Sequence, residues 1–146
     1  MSVKRLPEDN HIARFCRATS IFEDGRISPT AFHLRAGDSY LSVNWIEFFG
    51  KANNSEAVGE LQNVFANKFR TVSAFAKFAV FIVGDAREAV SDKTEQKEEI
   101  FATHEPLDDD LSHAGINGIT QENYPIIAAI LAECVDATYP ARPPAD

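Results

Sequence analysis

The chain has 146 residues, with 14 Lys and Arg against 22 Asp and Glu, and a formal net charge of −8. That length suits one domain and buries roughly two thirds of the surface its unfolded form exposes, so neither a disulfide nor a metal is needed for folding. A pI near 4.9 argues against general affinity for duplex nucleic acid, which rests on Lys and Arg neutralising phosphates, and no stretch approaches the ~18 apolar residues of a membrane span.

The N-terminal residues carry Lys4 and Arg5 but no apolar core, so they do not read as a signal peptide. Cys16 and Cys134 have neither CxxC spacing nor a framework count. They read as buried free thiols, which points to the cytoplasm. The charge is uneven: residues 1–50 hold six basic and six acidic side chains, whereas residues 85–146 hold four basic and fourteen acidic ones.

In chain order, residues 1–10 are polar and predict a flexible arm. His11–Arg17 alternates as a strand, and Glu23-Asp24-Gly25-Arg26 as a turn. Ala31–Arg35 predicts a strand with Phe32 and Leu34 inward, pairing as a hairpin with Tyr40–Ile46. In that second strand Leu41, Val43 and Trp45 take one face and Ser42 and Asn44 the other. Asn53-Asn54-Ser55 precede a helix whose buried stripe is Val58, Leu61, Val64, Phe65 and Phe69. Residues 72–83 predict a central strand ended by Gly84, followed either by a short helix from Asp85 to about Val90 or by a continuing strand, and then by a charged loop over Ser91–Glu99. Ile100–His104 reads as a last strand, Leu107–Gly118 as loop, and Thr120–Ala137 as a helix with Pro125 in its first turn. Residues 139–146 read as a Pro-rich tail. The expected class is α+β: residues 11–138 as a single domain, a mainly antiparallel sheet packed against two main helices.

The densest chemistry lies in His104-Glu105-Pro106-Leu107-Asp108-Asp109-Asp110-Leu111-Ser112-His113. Three readings stand. His104 and His113 form a catalytic acid–base pair, because an imidazole changes charge near neutral pH. Or His and Asp of this stretch hold a divalent ion, although the spacing fits no zinc pattern and the acids lack the order of a calcium loop. Or the stretch is a solvated acidic turn with His113 hydrogen-bonded to the chain. No metal or cofactor is assigned.

A second set is Arg14, His33 and Arg35 with Asn44. On one sheet face the arginines would make an anion site, since guanidinium binds phosphate and carboxylate through parallel donors. An ordinary polar sheet face, with the arginines paired to Glu23, Asp24 or Asp38, is the alternative. Asn44 either ties down neighbouring backbone or meets a ligand. Nucleophilic catalysis has little support: Cys16 and His11 fall on opposite strand faces, and Ser112 beside His113 lacks a strand–turn–helix elbow.

Ala31-Phe32-His33-Leu34-Arg35, then Leu41-Ser42-Val43-Asn44-Trp45-Ile46-Glu47, and Ser112-His113-Ala114-Gly115-Ile116 together resemble a group of small uncharacterised bacterial proteins, over roughly residues 11–138. The resemblance implies a single bacterial cytoplasmic domain and carries no activity. The leading expectation is therefore a non-catalytic binding or accessory protein that engages a protein partner, its acidic half steering a basic one and its N-terminal sheet carrying an anion site. The alternative is a small hydrolase or transferase on a phosphate-bearing substrate, a nucleotide or RNA end, using His104 and His113.

Overall fold

Alternating apolar residues at 12 and 16 and the small Ala13 make the first strand, β1 (His11–Cys16), a two-sided element, and it is central. The computed structural model describes residues 4–144. Six strands form one antiparallel sheet in the order β4-β5-β2-β1-β3-β6, with β2 Leu41–Trp45, β3 Lys77–Ile82, β4 Phe101–His104, β5 His113–Asn117 and β6 Ala137–Pro140. The α-helices are α1 (Asn54–Lys68), α2 (Val83–Lys93) and α3 (Tyr124–Cys134). The chain is a single α+β domain.

The two sheet faces are covered unequally. On one face Ile12, Val43, Phe81, Ala114 and Ile116 pack with Val83, Ala86 and Val90 of α2 and Ile127, Ala128 and Leu131 of α3. On the other, Ala13, Phe78 and Val80 pack against Val58, Leu61 and Phe65 of α1. Asn53 caps α1, its side chain accepting from the Glu56 N–H, as Asn does for the free donors of a first turn. Its stripe is narrower than expected, because Phe69 lies beyond the helix and is exposed. That second face has polar strand residues beyond the reach of α1. Register places Ser42 and Asn44 of β2, His113 and Gly115 of β5, and Thr103 of β4 together there.

Several expectations change. Residues 31–35 are not a strand and form no hairpin with β2. Pro29–Phe32 is a 3₁₀ turn, with Pro in its first positions and the Ser28 side chain accepting from Thr30 N–H. The alternation of Phe32 and Leu34 is satisfied by burial without pairing. β2 pairs instead with β1, over Ile12↔Trp45 and Ala13↔Asn44. β3 is shorter than expected and runs straight into α2, with Gly84 inside the helix. The Glu8 carbonyl accepts the Gly84 N–H at 2.8 Å and lies where a side chain would begin.

Residues 107–118 are not all loop. His113–Asn117 is an interior strand hydrogen-bonded on both sides, although His, Ala, Gly and Asn have little strand preference. Residues 4–10 are not a loose arm, since Leu6 is buried and its N–H donates to Ala102 O; residues 1–3 lie outside the described ones. Nor are residues 139–141 tail, because β6 ends at Pro140 and Ala141 is buried, donating to Ala76 O; residues 145–146 of the expected tail lie outside the described ones. Among the described residues no helix is long and apolar enough to cross a membrane.

Gly115 sits under the ring of Tyr40, and a Cβ there would overlap it. Gly115→Ala is expected to cost about 1–3 kcal/mol, as overpacking does. Urea denaturation checks this, and adding Tyr40→Ser to the variant should give less than the sum of the two single effects.

Candidate functional site

Residues 105–112 connect β4 to β5, and the side chains at their ends hold them. Asp110 turns inward and its side chain is 1% exposed. Asn44 Nδ2 donates to Asp110 Oδ1 at 2.8 Å and to Ser112 Oγ at 2.9 Å, while Ser112 Oγ donates to Asp110 Oδ1 at 3.2 Å. Lys68, in the last turn of α1, reaches Asp110 Oδ2 at 3.3 Å and stands 4.0 Å from Asp109 Oδ1. Leu107 and Asp110 exchange two main-chain hydrogen bonds around Asp108 and Asp109.

The two histidines lock the same segment from opposite sides. His104 pairs with Ala114 in the ladder, so His113, one residue earlier in β5, faces away from it. His104 Nε2 lies 2.8 Å from Leu111 O, and His113 Nδ1 lies 2.8 Å from Glu105 O. A carbonyl only accepts, so each of those nitrogens carries the hydrogen. The His104 ring packs against Trp45 and Phe48, and the His113 ring against Tyr40. The pair is thus divided by the sheet.

What faces outward is different in kind. Leu107 and Leu111 are 40% and 58% exposed, with Asp108 and Asp109 exposed between them and Phe48 exposed beside His104. Among the described residues, no group of three or more His, Cys, Asp or Glu is placed to hold a metal ion.

The expected anion set is not assembled on a sheet face, because residues 31–35 are not a strand. Arg14 is half-buried, with Nε donating to Ala31 O and Nη1 to Ser42 O, both at 2.8 Å. It clasps β1 to the turn and to β2 where the β1–β2 ladder has ended. Burial lowers its affinity for the proton. His33 lies against the Tyr124 ring, and Arg35 is exposed with Nε 3.5 Å from Asp38. Asn44 is buried, and its side-chain amide donates to Asp110 and Ser112.

Cys16 is fully buried, and desolvation pushes its thiol up to about 11. Ser112 is 1% exposed, and its hydroxyl donates to Asp110.

Sequence reasoning found the stretch but not its inner partner, Lys68, which carries no local signal at 42 residues from Asp110. Nor does local sequence pair His11 with Glu47: His11 Nδ1 lies 2.6 Å from Glu47 Oε2, and its main-chain N–H donates to Glu47 Oε1. Compared with known proteins, the chain matches no family model, no curated protein and no solved structure.

Asp110→Ala should lower stability by about 2–3 kcal/mol, because it strips partners from Asn44, Ser112 and Lys68, while Asp108→Ala should change it by less than about 0.5 kcal/mol. Guanidinium titration separates the two. At pH 8 an aromatic disulfide reagent should label the half-buried Cys134 first and reach Cys16 only as the chain unfolds, since the thiolate is the reacting form.

Proposed function

We propose that the chain is a non-catalytic binding protein of the bacterial cytoplasm that engages a protein partner through the β4–β5 connection. One observation carries the reading: His104, His113, Asp110 and Ser112 are all turned to holding that segment, while Leu107, Asp108, Asp109 and Leu111 project from it. A loop ordered before binding loses little conformational freedom on association, which raises affinity. Exposed leucines supply apolar contact area, and the carboxylates beside them steer a basic partner. A partner with an apolar pocket rimmed by Lys or Arg has the matching chemistry.

The enzyme alternative has less support. It needs both histidines at one substrate, yet they sit on opposite faces. It needs Arg14 for phosphate, yet two of its nitrogens bond carbonyls. The cytoplasmic part of the proposal rests on two free thiols and on the bacterial resemblance.

The test is affinity capture from bacterial lysate with wild-type bait, a Leu107→Ser/Leu111→Ser bait and an Ile126→Ser bait, all of equal melting temperature. Ile126 is exposed on α3, outside the β4–β5 connection. A protein partner retained by wild type and Ile126→Ser should be lost by the double variant. Its affinity should fall by about 30-fold or more, the size of a central contact. Asp108→Asn and Asp109→Asn should mainly slow association and flatten its salt dependence. Equal capture by all baits overturns the proposal.

A further inference from the structure

We propose that residues 4–6 form a detachable edge strand whose docking sets the order of the 105–112 loop. The consequence for binding rests on the docking role given to that loop above; the coupling itself does not.

The strand lies antiparallel on the outer edge of β4. Leu6 N–H donates to Ala102 O at 2.9 Å, His104 N–H donates to Lys4 O at 2.8 Å, and Arg5 stands opposite Thr103. Its side chains grip both faces: Leu6 is buried in the larger core, Lys4 Nζ lies 4.8 Å over the Trp45 ring, and the Arg5 guanidinium lies 4.3 Å over Phe101. It covers an edge that would otherwise present unpaired main-chain groups.

Two contact routes run from this strand into the loop. In the first, Lys4 O holds the main-chain N–H of His104, whose ring nitrogen Nε2 holds Leu111 O. In the second, Lys4 covers Trp45, whose main-chain N–H donates to Ser112 O at 2.8 Å. They end on adjacent main-chain carbonyls, the first on that of the exposed Leu111 and the second on that of the buried Ser112. Coupling through packed and hydrogen-bonded neighbours of this kind is short and contiguous.

The strand is also the piece best placed to open by itself. Beyond Pro7 the chain has independent anchors: Glu8 O accepts from Gly84 N–H, Glu8 pairs with Arg87, Asn10 O accepts from Val83 N–H, and Asn10 Oδ1 accepts from the Trp45 indole. Residues 4–6 can therefore lift with the rest of the segment in place. Lys4 and Arg5 are exposed, and cation–ring contacts at exposed sites are weak. Short edge segments with one buried anchor open far below the free energy of global unfolding.

The test is amide hydrogen exchange on the full chain, comparing wild type with Lys4→Ala/Arg5→Ala, which spares the core, and with Leu6→Asp. Trp45 is the only tryptophan, and in Leu6→Asp, which keeps Lys4, its emission reports strand release. The expected result is exchange about tenfold faster or more at Leu107, Asp110 and His113, a red shift of Trp45, and little change at Ala13 and Ala79. Faster exchange at His104 with unchanged loop amides overturns the coupling. So does a uniform rise at every amide in the double variant, which would mean global destabilisation. A loosened loop with undiminished partner capture would leave the coupling standing and count against the docking role alone.

Discussion

A carboxylate that is 1% exposed has to be answered on every side, and the Asp110 side chain is answered by three separate elements. β2 supplies Asn44, the last turn of α1 supplies Lys68, and the connection itself supplies Ser112. Burying such a group without partners costs several kcal/mol, so its partners must already be in place when the loop closes. The loop conformation is therefore tied to the position of α1 and to the register of β2. This constraint explains why an acidic, mostly exposed segment is nevertheless ordered.

The same constraint accounts for the uneven second face of the sheet. Helix α1 packs over β1 and β3 through Val58, Leu61 and Phe65. Over β2, β5 and β4 the face is finished by polar groups that satisfy one another, with Asn117 Nδ2 donating to Thr103 Oγ1 and Thr103 Oγ1 donating to Glu105 Oε2. Tyr40 lies flat on Gly115, where any side chain would push it away. Among the described residues no fully buried side-chain nitrogen or oxygen is left without a partner, as a polar interior requires. A half-face of this kind holds one arrangement well.

The legible parts were those with local signals. β1 and β2 show period-two alternation, and Leu41, Val43 and Trp45 do share a face of the sheet. The Asn53 cap of α1 and the Tyr124–Cys134 core of the last helix are written in adjacent residues. The illegible parts were those made by distant partners. β5 has weak strand propensity and exists because β4 and β2 bond to both its edges. β6, Ala137–Pro140, is a strand because β3 offers an edge, although Pro140 suggested a terminus. Residues 31–35 had the right alternation and no strand to pair with.

Composition and local pattern by themselves determined the α+β class, the single domain, the capped helix and the stretch from His104 to His113 as the place of interest. They also determined the types of side chain available there. Only the tertiary structure decided what those side chains do, because a one-residue step along a strand reverses the face and so puts His104 and His113 on opposite sides of one sheet. It likewise set two Arg14 nitrogens on carbonyls 17 and 28 residues away, so that the side chain clasps β1 to its neighbours. Within the acidic excess of the chain, three consecutive aspartates differ in place: Asp110 is held inside, while Asp108 and Asp109 stand outward between two exposed leucines. Hydrogen bonding and burial settle such differences between identical residues, and neither is a property of local sequence.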